Sequence, residues 1–322
     1  MEIDVMRRNI MKFAKFWSVA LLFAGGWLSG APGRPAAPLT DGAVTVVAQI
    51  NQFRRLAGLA PVEFDATLSQ GGREHALYLS RNSKDPSVQR LGAHAQSPDL
   101  PGYTTAGAKA ARNSDISFGR PPEACVGAWM ATLYHRVPLL RPNLKRVGVG
   151  YEGDIVVADL ISGMEGEVNA SVVYPGDGQT QVPMEFGAEI PSPVPPNAPG
   201  PAGYPITLQF PTFGPQAANV RAELVDDHGK DVAFHLSDPE HPATFFTQQN
   251  TVCLIPVGSF APGTVYTVKV MARVGDGEIL KTWRFTTRPI ETAPVVEAER
   301  TLPGDNADED GKNKRGKKKR KG

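Results

Sequence analysis

The sequence predicts an α+β domain followed by an all-β sandwich, with a polar tail after it. Three observations carry this reading. Apolar residues recur at helical spacing from Asp41 onward and then alternate over a hairpin that ends near Ile161. From Asn169 only short alternating runs remain, separated by turn residues. After Pro289 the periodicity is lost, and an acidic block precedes a basic one. The chain has 322 residues, more than one average core serves, and its 33 Gly and 29 Pro supply turns and linkers. The expected organisation is a leading segment at 1–40, domains at 41–163 and 168–289, and a disordered acidic and basic tail at 290–322.

The leading segment places Arg7, Arg8, Lys12 and Lys15 before an apolar stretch from Phe16 to Leu28, with small residues and prolines next in "APGRPAAP". Basic, apolar, then small is the order of a secretory signal peptide, so the protein is expected to be secreted or extracytoplasmic. The apolar run is about 13 residues, short of the roughly 20 that a spanning helix needs. Pro32 disfavours cleavage after Ala31. Left uncleaved, the same segment would be an N-terminal membrane anchor.

The net charge of +1 is unevenly placed. Residues 303–322 hold eight of the 34 Lys and Arg and four of the 33 Asp and Glu, which leaves a body of about −3. No nucleic-acid partner is expected for such a body. Contact with an anionic surface, lipid or wall polymer, is expected only through the basic run 312–321. The two cysteines, Cys125 and Cys253, are too few for a disulfide framework and lack metal-type spacing. They are either two buried thiols or one bridge between the domains.

In the first domain, Asp41 opens a helix with Val44, Val47, Ala48, Ile50 and Phe53 at helical spacing, and Gly58 and Pro61 end it. Asp65 caps a second helix whose apolar face takes Leu68, Gly72, Ala76 and Leu79, with His75 on the same side as a packed histidine. The stretch "DPSVQRLGAHAQSPDLPGYTTAGAKAARNS" reads as one long loop carrying His94, and a loop of that length is a functional candidate. A third helix starts at Pro121 or Pro122, carries Cys125, Ala128, Trp129 and Thr132 on one face, and is stopped by Pro138 and Pro142. "RVGVGYEGDIVVADLI" is then a hairpin.

These residues also carry a resemblance. "INQFRRLAGLAPVEFDATLSQGGREHALYLS" resembles the opening of bacterial CAP domains (cysteine-rich secretory, antigen 5 and pathogenesis-related proteins, also called SCP domains), which read R-x-x-x-G-L-x-P-L, then D-x-x-L-x-x-x-A-x-x-H-A. His135 to Tyr151 is similar to the family's H-R-x-x-[IL]-L-x-P-x-[FL]-x-x-V-G-V-G-Y, and Trp129 stands at the family's helix tryptophan. The resemblance covers about Asp41 to Gly163 and implies a three-layer α-β-α sandwich on the outer side of a membrane. The family's cleft is usually lined by two histidines and two glutamates that bind a divalent metal in some members. Here His94, in "GAHAQ", matches the first histidine. The glutamates fall near Ala108 and Lys109 and at Thr132, and the second histidine has no counterpart in "IVVADLISG".

The candidate cleft is therefore His94, Thr132, His135 and Arg136. No cofactor is expected, and His94 and His135 are the weak candidates for a divalent metal. No G-x-S-x-G, H-E-x-x-H or P-loop occurs, so no catalytic residue is assigned. His135 and Arg136 follow the last helical turn, where cations meet exposed carbonyls and the negative end of the helix dipole. A role in the cleft is the other reading of His135.

The second domain reads as about seven short strands, which fits an Ig-like sandwich. "FAPGTVYTVKV" followed by "WRFTT" is similar to bacterial Ig-like modules, with Tyr266 and Trp283 as core anchors. Such a fold supports a spacer or binding role and no specific chemistry. The function expected is an exported, non-catalytic binding module for a ligand or cell-envelope component. The alternatives are a hydrolase using the cleft around His94 and His135, or a structural envelope protein.

Overall fold

The computed structural model describes residues 41–290. The export or anchor segment at 1–40 and the basic tail lie outside the described residues. Helix α1 (Asp41–Leu56) buries Val46, Ile50 and Arg54. Strand β1 (Glu63–Phe64) follows, then α2 (Ala66–Arg81), whose start is fixed by the Asp65 carboxylate accepting from the N–H groups of Thr67 and Leu68.

Helix α2 lies on the hairpin of β3 (Arg146–Glu152) and β4 (Ile155–Asp159), and the glycines of β3 let it approach. A Cβ at Gly148 would strike the backbone of Leu68 and Ser69, and one at Gly150 that of Gly72 and Arg73. Val147 and Val149 point to the opposite face, into the main core with Val46 and Trp129. On β4, Val157 packs with Ala76, Tyr78 and Leu79, while Val156 and Ala158 join Trp129. The sheet, in the order β1-β3-β4-β2 with β2 spanning Ser114–Ser117, is thus covered on both faces.

The segment read as one long loop is different. It holds two short 3-10 turns, Pro86–Val88 and Arg90–His94, then helix α3 (Thr105–Asn113) and strand β2 (Ser114–Ser117). Helix α3 carries no large apolar residue, so it leaves no period in the sequence. Its small face, Gly107, Ala108, Ala110 and Ala111, is buried and approaches α2 at Gly71, where a Cβ would meet the Ala106 carbonyl at 3.0 Å. Thr104 Oγ1 accepts from Gly107 N and sets the start. Helix α4 (Pro122–Met130) stops earlier than its prolines suggested, and a single turn, α5 (Arg136–Leu139), follows. The Ala131 carbonyl, which would continue α4, accepts from Gly187 N instead.

The second half forms two four-stranded sheets, in the orders β5-β7-β10-β9 and β6-β12-β11-β8. The first comprises β5 (Val172–Tyr174), β7 (Ile206–Gln209), β10 (Thr251–Pro256) and β9 (Phe234–Ser237). The second comprises β6 (Gln179–Val182), β12 (Gly277–Thr287), β11 (Val265–Val274) and β8 (Ala217–Asp226). Strand β11 alternates, burying Tyr266, Val268, Val270 and Ala272, and Trp283 and Phe285 of β12 are buried beside them. Strand β10 is buried along its whole length. Val252 and Leu254 face the core between the sheets, whereas Cys253 and Ile255 pack against Leu133 and Val137 of the first half. Burial on both faces explains why "TVCLIP" is continuously apolar rather than alternating. One cluster of buried side chains runs from Ala43 to Phe285, and the described residues fall within one unit. Both cysteines are free thiols and buried.

His75 is fully buried on α2. Its Nε2–H donates to the Ala93 carbonyl at 2.7 Å, and its Nδ1 accepts from Gln96 Nε2 at 3.1 Å. This pairing holds the neutral ring. Burial drives its pKa down to about 4, against a weaker raising effect of the Ala93 bond. The folded state therefore binds this proton less readily than the unfolded chain. Stability is fully present above pH 6.5 and is lost as pH falls towards 4, by about 3 kcal/mol for a shift of this size. Denaturant unfolding at pH 7 and pH 4.5 should show that loss, and His75→Gln should flatten it. Equal slopes in the two proteins would assign the acid sensitivity elsewhere.

Candidate functional site

The turn between α4 and α5 presents His135. Its Nδ1 lies 3.2 Å from Thr132 Oγ1 and 3.3 Å from the Glu189 carboxylate. Thr132 gives its own proton to the Trp129 carbonyl at 2.7 Å, so towards His135 it accepts, and Nδ1 carries the hydrogen. Glu189 arrives from the long connection between β6 and β7, with its side chain fully buried. One oxygen accepts from Leu133 N at 2.6 Å and the other from Tyr134 N at 2.9 Å. A carboxylate thus seals the free N–H groups of this turn and meets the imidazole in the same place.

Asp115 of β2 adds a second buried carboxyl, and its Oδ2 has no hydrogen-bond partner. Burial pushes it up to about 8; the His135 charge opposes this and the Glu189 charge adds to it. For His135, burial favours the neutral ring, but the Glu189 hydrogen bond and the charges of Asp115 and Glu189 outweigh it and hold the pKa above the ordinary histidine value. His94 ends the second 3-10 turn, and its Nδ1–H donates to the Ala111 carbonyl at 3.3 Å. Burial lowers its pKa despite that bond, and the His135 charge lowers it further. Burial thus favours the neutral form of His94, whereas the Glu189 hydrogen bond and the nearby acidic charges favour the protonated form of His135.

Of the residues read from the sequence, the structure groups Thr132 with His135 and couples His94 to them by charge. Arg136 is not with them. Its guanidinium is fully buried, donates to the carbonyls of Met130 and Pro205, and lies over the rings of Tyr174 (5.0 Å) and Tyr204 (4.6 Å). It meets the end of α4, as a cation after the last turn was expected to. Lys109 is exposed, and its charge acts on Asp159. Asp115 and Glu189 were missed. Asp115 had no signal, because strand β2 was itself not read from the sequence. Glu189 had none, because its partner Leu133 lies 56 residues away in the chain.

The divalent metal that the resemblance implies for some relatives does not fit these residues. His135 Nδ1 and both Glu189 oxygens are already engaged. Among the described residues, no group of three or more His, Cys, Asp or Glu is arranged to hold a metal ion. Among the described residues, no activated nucleophile faces the histidines either. Thr132 is their one hydroxyl partner among the described residues, and its proton is committed to Trp129. Burial pushes both the Cys125 and the Cys253 thiols up to about 12, which leaves them un-ionised at neutral pH.

Comparison with known proteins bears on the first half. Residues 47–154 match the family model of the cysteine-rich secretory protein family, CAP. The uncharacterized protein YkwD of Bacillus subtilis (strain 168) is 33% identical over 109 residues, which is 33% of this chain and 40% of that protein. The chain therefore matches about two fifths of that relative's length. Among solved structures, an extracellular protein containing an SCP domain from Bacillus anthracis is 18% identical with a TM-score of 0.29, over 39% of this chain and 44% of that one. A DUF4426 family protein from Pseudomonas aeruginosa is 12% identical with a TM-score of 0.21, over 28% of this chain and 76% of that one.

Proposed function

We propose, starting from a CAP domain matched over residues 47–154, that this is an exported, non-catalytic binding module with an Ig-like second half. One observation supports the non-catalytic reading above the others. His135 Nδ1 lies 3.3 Å from the carboxylate of Glu189, whose two oxygens also hold the backbone of Leu133 and Tyr134. The histidine and carboxylate join one half of the chain to the other, and among the described residues no activated nucleophile accompanies them. The eight strands of the second half, in two four-stranded sheets, support the Ig-like assignment. Export is supported by the basic, apolar, small order of the N-terminus. Among the described residues, no helix is long and apolar enough to cross a membrane.

The functional test is sedimentation of the purified full chain with envelope fragments, followed by mass spectrometry of the fragments. Saturable co-sedimentation with unchanged fragments is expected. Release of products that His94→Ala abolishes would favour the hydrolase. Truncation after Pro303 should weaken co-sedimentation in low salt if the run 312–321 contributes.

The role assigned to Glu189 has its own test. Glu189→Ala leaves the Leu133 and Tyr134 N–H groups unpaired, at a cost of about 2 kcal/mol. It also removes the charge and hydrogen bond that raise His135, so the His135 pKa, followed by NMR, should fall. A pKa that stays raised would shift the cause to Asp115.

A further inference from the structure

Among the described residues, three guanidinium groups are buried with no carboxylate beside them, and they differ in how far they are satisfied. Arg54 donates to the carbonyls of Ala60, Leu139, Arg141 and Leu144. Arg136 donates to two carbonyls and lies over two tyrosine rings. Arg141 has far less. It is 2% exposed. Nη1 reaches the Phe210 carbonyl only at 3.4 Å, Nη2 meets the side-chain oxygen of Gln249, and the buried Nε has no partner. An unpaired buried donor on a cation is costly.

Arg141 is also the one of the three that lines a surface groove. The groove has a volume of about 670 Å³ and lies between the two halves. Among its lining residues only Arg141 and Glu167 are charged. Glu167 is exposed and forms no ion pair with Arg141. Apolar side chains flank the cation: Phe213 and Ile161, both exposed, and Met164. The Gln249 oxygen that Arg141 does hold belongs to a residue at φ +54°, a conformation that non-glycine residues adopt only at some cost. A neutral amide oxygen is a weaker acceptor for a dehydrated guanidinium than an oxyanion, which in its place makes a charge-assisted pair.

We infer that this groove is a binding site for a small organic anion, a carboxylate or phosphate attached to an apolar group. Arg141 receives the anion where Gln249 Oε1 now sits, and Phe213, Ile161 and Met164 receive the apolar part. The site is separate from the His94–His135 group and does not depend on its role.

Calorimetric titration of the full chain with 3-phenylpropanoate, phenyl phosphate and the neutral 3-phenylpropanamide tests it. At least one of the anions should bind saturably, with the tighter one naming the headgroup, and the amide should bind at least about tenfold more weakly. Arg141→Gln should lose the anion by about tenfold or more, and Arg141→Lys, which keeps the charge without the fork, should lose less. Two exposed positions keep the test valid if Arg141 variants fail to fold. Phe213→Ser should weaken binding, and Glu167→Gln, which removes the only anion at the rim, should tighten it. No saturation by either anion up to about 10 mM, or equal binding of the amide, would overturn the site. So would a Phe213→Ser and Glu167→Gln pair that binds like the parent.

Discussion

Arg136→Ala should destabilise the protein by about 4 kcal/mol, a large part of a typical folding free energy. The truncation strips donors from the Met130 and Pro205 carbonyls and removes a desolvated cation from two tyrosine faces. Relief of the cost of burying the charge offsets part of this, which is why the figure is below the sum of the losses. Met130 ends α4, whereas Pro205 precedes β7, so the same change cuts a tie between the halves. Urea unfolding should shift to a lower midpoint. Arg136→Lys keeps a charge but cannot reach both carbonyls while lying over the rings, and should cost about half as much. A single unshifted transition in Arg136→Ala would show that the contact is incidental.

Arg54→Met should cost about as much for a different reason. Methionine fills much of the same volume, so packing is largely kept. What is lost is a donor set for the carbonyls of Ala60, Leu139, Arg141 and Leu144, of which only that of Arg141 keeps another donor, Leu144 N. Burial lowers the Arg54 pKa to about 10, so the group remains cationic at neutral pH. With about 1 kcal/mol or more for each buried acceptor left unpaired, a loss of about 4 kcal/mol is expected in equilibrium unfolding. Amide exchange should rise first around 139–144, where the backbone loses its anchor. Protection that stays unchanged there would mean that water replaces the guanidinium without penalty.

These arginines show how much of the fold and site could be read from the sequence. The motifs that carried the resemblance have local physical causes, and those causes are visible. Arg54 of the R-x-x-x-G-L run gathers carbonyls, and the glycines of V-G-V-G allow α2 to lie on the sheet. Asp65 was legible as a cap because capping is a matter of the next three residues. Helix α3 was not legible, since alanine and glycine give no hydrophobic amplitude. Strand β10 was readable as a strand, but its second buried face depends on Leu133 and Val137 from far earlier in the chain. The histidines were found by residue type. Their carboxylate partners, Asp115 and Glu189, were not, because only tertiary folding brings a charge from the β6–β7 connection onto the turn before α5.

Strand β10 has a consequence for how such a gene can change. A module joined by a linker can be exchanged by recombination, since each piece keeps its own surface wherever it lands. Here Cys253 and Ile255 of one half complete the packing of Leu133 and Val137 of the other. An exchange at the junction near 163–168 would hand the recipient an oily face with nothing to cover it. Substitutions at these four positions are therefore expected to be inherited in concert, and a foreign second half would be accepted only if it brought a strand with the same two-sided character.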